Sequence, residues 1–250
     1  MSTAPRISIC IPAYDMGGQG AAYLAQSLDR IAAQDLTDFE VIVSDQSDGP
    51  GVADTCAAYA DRFALRRVKF AQGPRQSSAN ANNAMRHATG EIVKILFQDD
   101  LLHGDQALRL TAQAFDAGAD WMICGSATTP DGQAVDNPMV PRLHPQIRFG
   151  KNTVSSPSVL AMRRDRALAF DKNLIWLMDV EMYHRLARTR GSPAIVPQTL
   201  ILNRLHPGQV SASVAPDLRR RELAYVREKH KAGETFADRL AYLKQVLKAR

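Results

Sequence analysis

Short β-rich runs alternate with Ala-rich stretches of helical character along the first half of the chain. The runs are RISICI (6–11), FEVIVS (39–44), RRVKFA (66–71), EIVKILF (91–97) and DWMICG (120–125), and helical stretches fall at 20–33, 53–64, 77–88 and 105–117. This alternation predicts an α/β fold with a mainly parallel sheet covered by helices on both faces. Ligands of such sheets bind outside the carboxyl ends of the strands. Three of those ends are polar: Pro12-Ala13-Tyr14-Asp15 follows the first run, Ser44-Asp45-Gln46-Ser47-Asp48-Gly49 the second, and Gln98-Asp99-Asp100 the fourth.

After about residue 125 the alternation breaks. TTPDGQAVDNP (128–138) carries turn chemistry in Pro130-Asp131-Gly132 and Asn137-Pro138 and predicts a hairpin or a mobile loop. Residues 142–164 read as irregular. NLIWLMDVEMYHRLAR (173–188) returns to a helical pattern with Leu177, Val180, Tyr183 and Leu186 roughly aligned, and TLILNRL (199–205) reads as a strand before a charged helical tail. There are no internal repeats and no low-complexity tract.

A chain of 250 residues with 45% hydrophobic content can bury a full core. No run approaches the roughly 20 apolar residues of a membrane span, and MSTAPR has no apolar segment of the kind a secretory signal needs. Cys10, Cys56 and Cys124 lie too far apart for a metal knuckle and argue against a disulfide framework, so a reducing cytoplasm is the expected compartment. The net charge of +5 is concentrated at one end, because residues 217–250 hold ten bases against five acids. The balanced remainder does not suit a nucleic-acid partner. The basic tail is either a solvated helix face or a contact for an anionic membrane surface.

KILFQDDLLHGDQ (94–106) sets Asp99 and Asp100 side by side at the end of an apolar run, where like charges losing water need compensation. Acids favour a helix N-terminus, and a helix at 103–117 would account for one of the two. A hard divalent ion such as Mg2+ or Mn2+, sharing its coordination with substrate phosphates, would compensate both. Asp45 has two readings, a plain polar turn or an acceptor for a base N–H or ribose hydroxyl. YDMGGQGAAY (14–23) supplies a GxG, but the third glycine of a dinucleotide fingerprint falls at Tyr23, and no Walker A loop occurs.

ISICIPAYD, SDQSDG, SSANANNAMRHATGEIVKILFQDD and NLIWLMDVEMYHRLA, in that order and spacing, resemble an inverting glycosyltransferase of family 2 across roughly residues 6–211. The resemblance implies the GT-A fold, a Rossmann-like sheet flanked by helices, over 1–215, followed by a basic helical tail at 216–250. It implies a nucleotide-sugar donor, a UDP-sugar foremost, a Mn2+ or Mg2+ ion, and a glycan or lipid-linked glycan acceptor in cell-surface polysaccharide or lipopolysaccharide assembly. The enzyme would be cytoplasmic, with peripheral contact at the inner face of the membrane through the tail.

Carried over by position, Pro12, Ala13 and Tyr14 match the loop that lies against the nucleotide base, and Asp45 matches the acid that reads it. The family's DxD falls on Phe97-Gln98-Asp99, so its first acid is missing, Asp99 is the expected metal ligand, and Asp100 or Gln98 would serve the ribose. Asp179 matches the catalytic base; Glu181 is its rival, two residues on and about 200° around a helix. His206, in RLHPGQVS, matches a segment that closes over the diphosphate and is the second expected metal ligand, with Arg204 near the phosphates. Arg75, Asn80 and Asn82 would approach the nucleotide, unless Ser77 or Ser78 merely caps a helix there. Trp176 would stack on a sugar or sit in the core. The missing acid also leaves open a degenerate GT-A domain that binds nucleotide sugar or acts as a scaffold.

Overall fold

The computed structural model describes residues 4–209 and 214–249. Its central strands are β1 (Ile7–Ala13), β2 (Phe39–Asp45), β3 (Leu65–Lys69) and β4 (Ile92–Ile95). Every residue of β1 and β4 is buried, which is why these segments read as continuous apolar runs. The helices between them are α1 (Gly20–Ala32), α2 (Gly51–Tyr59) and α3 (Ser77–Arg86). Helix α1 buries Leu24, Leu28 and Ile31, one stripe at helical spacing.

Beyond them come β5 (Leu101–Leu102), α4 (Ala107–Asp116), β6 (Trp121–Thr129), β7 (Asp136–Met139), β8 (Leu160–Arg163), α5 (Met178–Arg190) and β9 (Ala194–Arg204). The sheet runs β3-β2-β1-β4-β8-β6-β9-β5, with β7 paired to β6. It is parallel from β3 to β4, as the alternation predicts. Past β4 it becomes mixed, because β8 is antiparallel to both β4 and β6. The 128–138 turn is a hairpin joining β6 to antiparallel β7.

Two helix boundaries differ from the sequence pattern, and both matter for the site. Helix α4 begins at Ala107, so Asp99 and Asp100 lie well outside its first turn and its dipole does not compensate them. Helix α5 begins at Met178 rather than near 173, because the main chain of Ile175, Trp176 and Leu177 turns outward to donate to one buried carboxylate, Glu222.

Glu222 belongs to α6 (Pro216–Lys229), which is followed by α7 (Phe236–Lys248). These two helices pack on the body. Leu223 and Val226 are buried, Arg148 pairs with Asp238 at 3.2 Å, and the Phe149 and Tyr242 rings meet edge to face at 5.9 Å. Part of the HPGQVSAS segment, residues 210–213, lies outside the described residues.

Candidate active site

Strand register builds one wall of the site. Pro12 lies opposite Ser44 and Ala13 opposite Asp45, so the first two polar loops leave the sheet side by side. Pro12 and Ala13 are buried, whereas Tyr14 is half exposed, and burial followed by the charge of Asp99 raises its phenol. Asp45 is fully buried: Oδ1 accepts from the Ser47 N–H at 2.8 Å and Oδ2 from Arg67 at 2.6 Å. A carboxylate so engaged keeps lone-pair capacity for one further donor. Asn80, on the inner face of α3, donates to the Ala13 carbonyl at 3.0 Å. Its Oδ1 and the Ser47 hydroxyl are buried with no hydrogen-bond partner among the described residues. Such atoms cost free energy unless something binds them.

Around this wall the expected contacts divide. Arg75 lies on the surface, paired to Asp48, at the edge of a cavity of about 80 Å³ that Ser47 and Lys69 also line. Asn82 faces away from Asn80 and forms a two-way pair with the main chain of Phe170, at 2.8 and 2.7 Å. Neither serine caps α3: Gln76 occupies the cap position, and Ser78 donates to the Leu174 carbonyl. Trp176 is half-buried against the core with the Arg219 guanidinium 5.4 Å from its ring, a packing role.

The QDD segment folds into three separate jobs. The Gln98 side chain accepts from the Tyr14 N–H at 2.5 Å and donates to the Tyr14 and Gly20 carbonyls at 2.9 and 3.1 Å. It clamps the first loop, and its amide is fully engaged there. At Gly20 a Cβ would stand 2.0 Å from the Tyr14 carbonyl oxygen, so only glycine allows this approach. Asp100 points inward, accepting from Ser158 at 2.5 Å, Ser156 at 3.0 Å and the Arg204 N–H at 3.3 Å. Burial, then the charge of Asp99, pushes its carboxyl well above the usual range. Lys94, buried in β4, donates to the Ser158 carbonyl, and burial lowers its ammonium below the usual lysine range.

Asp99 faces the cleft. Its Oδ2 lies 2.9 Å from His206 Nε2, and the imidazole packs at 5.5 Å against Tyr23. Two donor atoms at this separation match an edge of an octahedron with bonds of roughly 2.1 Å. Among the described residues no group of three or more His, Cys, Asp or Glu could hold a metal ion, so Asp99 and His206 fit a divalent ion only with substrate oxygens completing the shell. Arg204 is buried, with Nε donating to the Asp99 carbonyl at 3.2 Å and its guanidinium 4.8 Å from the Tyr23 ring. It secures the loop that carries the acids.

The opposite wall is the start of α5. Asp179 accepts from the Val180 N–H at 2.7 Å and from Asn152 at 2.8 Å, and burial pushes its carboxyl up to about 7. Glu181, on the same helix, shows the contrary effect. Burial alone would raise it, but His230, Lys229 and Arg185 surround it and hold its carboxyl at about 2. Glu181 is fully buried, with its carboxylate engaged by Arg185, Lys229 and His230. A polar chain joins the two walls. Asn152 also donates to the Ser155 carbonyl, Ser155 holds a left-handed φ of 109°, and the Ser156 hydroxyl reaches Asp100.

With β1, β2 and β4 presenting their carboxyl ends to one cleft, the family can be read from the chain itself. The model of the Glycosyl transferase family 2 matches residues 8–172. This chain belongs to that family. A relative in Sinorhizobium fredii, the uncharacterized protein y4gI, is 26% identical over 220 residues; the match covers 85% of this chain but 24% of that protein, so the chain spans about a quarter of its length. Among solved structures, S. aureus TarS 1-349 in complex with UDP-GlcNAc superposes with a TM-score of 0.69 at 18% identity, covering 98% of this chain and 72% of that 1-349 chain. The mannosyltransferase PcManGT from Pyrobaculum calidifontis, with GDP-Man and Mn2+, superposes at 0.65 and 21% identity, covering 99% and 69%. The sheet flanked by helices is therefore of the GT-A type, and C-terminal helices follow it.

Several residues that shape this family 2 site have no clear sequence signal. Asn152, Ser156 and Ser158 come from a segment without periodicity. Lys94 did leave one, a lysine inside the apolar run IVKILF, and Glu222 lies in a helix that reads only as basic.

Proposed function

We propose that this chain transfers a sugar from a nucleoside diphosphate sugar to an acceptor hydroxyl with inversion at the anomeric carbon. The observation that carries the proposal is the pair of acids at the start of α5. Asp179 faces its surroundings with a carboxyl raised to about 7, while Glu181 is locked as an ion. Two neighbouring carboxylates driven apart in this way mark a general base, and a base of that strength is poised near neutral pH.

Asp179 accepts the acceptor hydroxyl's proton as the oxygen attacks the anomeric carbon from the face opposite the leaving diphosphate. Asn152 orients the carboxylate for this step. Asp45, Asn80 and the Pro12–Tyr14 loop bind the nucleoside, an assignment supported by the buried, unpartnered Asn80 Oδ1 and Ser47 hydroxyl. Arg75 closes the outer edge of the nucleoside site. Asp99 and His206 would hold a divalent ion, Mn2+ or Mg2+, and such an ion would supply positive charge to offset that of the diphosphate. Asp100 and Arg204 act behind them, fixing Asp99.

The donor is a UDP-sugar first and a GDP-sugar second, in keeping with TarS and PcManGT, which carry UDP-GlcNAc and GDP-Man. The acceptor is a glycan or lipid-linked glycan of a cell-surface polysaccharide or lipopolysaccharide, reached from the cytoplasmic side. Phe97, standing where the family has its first acid, favours a second reading, a domain that binds nucleotide sugar without turning it over.

Thermal shift with UDP, GDP, CDP and dTDP, each with and without Mn2+, tests the binding half. One nucleotide should raise Tm, and more so with Mn2+. No shift with any of them contradicts the proposal. Release of nucleoside diphosphate from the matching sugar then separates enzyme from binding domain.

A further inference from the structure

Helix α7 presents an apolar stripe that no other described residue covers. Phe236, Leu240, Leu243 and Leu247 recur at helical spacing and are 81, 44, 54 and 56% exposed, whereas Asp238, Tyr242 and Val246 on the other side face the body. At 100° per residue the four apolar side chains fall within a sector of about 60°, opposite the packed face. A patch of this kind marks an interaction surface.

Charge identifies the occupant. The exposed charged residues of α7 are Arg239, Lys244 and Lys248, all basic; Arg239, on one side of the stripe, pairs with Glu234 just before the helix, Lys244 and Lys248 line the other side, and the one acid of this helix, Asp238, is buried against Arg148. Two copies packed stripe to stripe would bring rows of cations together. An apolar face bordered by Lys and Arg suits instead an anionic bilayer, with the leucines among the acyl chains and the cations at the phosphates. No helix of the described residues is long and apolar enough to cross a membrane, so the contact is one lying in the interface.

We propose that α7 docks this protein on an anionic lipid surface through Phe236, Leu240, Leu243 and Leu247. The position is informative: Asp238 pairs with Arg148, four residues before Asn152, which holds Asp179. The packed face of α7 is thereby tied to the segment that holds Asp179. The docking claim is read without donor or transfer, so it stands or falls separately from the glycosyltransferase assignment.

The test is sedimentation of the full chain with vesicles of phosphatidylcholine alone and of equal parts phosphatidylcholine and phosphatidylglycerol. Wild type should sediment with the second and not the first. Leu243→Ser/Leu247→Ser should abolish sedimentation with Tm unchanged, since both side chains are exposed, and Lys244→Gln/Lys248→Gln should weaken it by about thirty-fold. Wild type left in solution, or a serine variant that sediments like wild type, overturns the proposal. So does a wild-type dimer in sedimentation velocity that the serine variant dissolves, which would assign the stripe to a second copy.

Discussion

Glu222 reaches across from α6 to the turn that enters α5, where its carboxylate accepts the Leu177 N–H at 2.8 Å, with those of Ile175 and Trp176 at 2.7 and 3.0 Å. A helix N-terminus exposes N–H groups that need partners, and here a distant acid supplies them two residues before Asp179. The C-terminal region is thereby part of the site's support. Glu222→Ala should cost about 2 kcal/mol, seen as a lower Tm, and should reduce turnover more than donor affinity. A Tm equal to wild type would show that α5 holds its start unaided.

Glu181 yields a pH prediction. Its folded value, about 2, lies below the ordinary carboxylate value, so it contributes stability above the unfolded value that is lost as pH falls through the folded one. Glu181→Gln should lower stability by about 3 kcal/mol near neutral pH. The difference from wild type should shrink as pH drops from about 4.5 toward 2, measured by denaturant melts. A gap independent of pH would point to shape rather than charge.

Gln98 is the test of the first loop. Its side chain satisfies the Tyr14 N–H and the Tyr14 and Gly20 carbonyls, and Gln98→Leu leaves all three without it. Destabilisation of about 2 to 3 kcal/mol and weaker nucleotide binding by calorimetry are expected. Wild-type binding would show that the loop is set by Gly20 alone.

The parallel half of the fold was legible because strands buried on both faces are mostly apolar, and RISICI and EIVKILF are, with Ser8 and Lys94 the polar exceptions inside β1 and β4. The hairpin at 128–138 was legible from its turn residues. Strand β8 was not, since LAMR is four residues whose burial depends on β4 and β6 at either side. At the site, Asp45 ends β2 and Asp99 follows β4, the polar strand ends that the sequence marks. What stayed hidden was how the acids are compensated. The partners of Asp100 come from 156, 158 and 204, and Glu181, besides its i,i+4 neighbour Arg185, is paired from 229 and 230; apart from Arg185 these are distances in sequence that no local pattern encodes.

Asp99 and His206 share one contact, at 2.9 Å, and should act as one unit. Asp99→Ala and His206→Ala should each remove the Mn2+ enhancement of nucleoside diphosphate binding, and the double variant should lose little more. Titration calorimetry with and without Mn2+ reads this directly. Additive losses would place the two residues in separate roles.

The central claim is that Asp179 is the base of sugar transfer, and one comparison tests it most directly. Release of nucleoside diphosphate from the preferred nucleotide sugar, followed from pH 5 to 9 in wild type and Asp179→Asn, should show a rising wild-type limb centred near 7. The variant should retain donor affinity while turning over about 10^2- to 10^4-fold more slowly and without that limb. Wild-type turnover in Asp179→Asn would contradict the account.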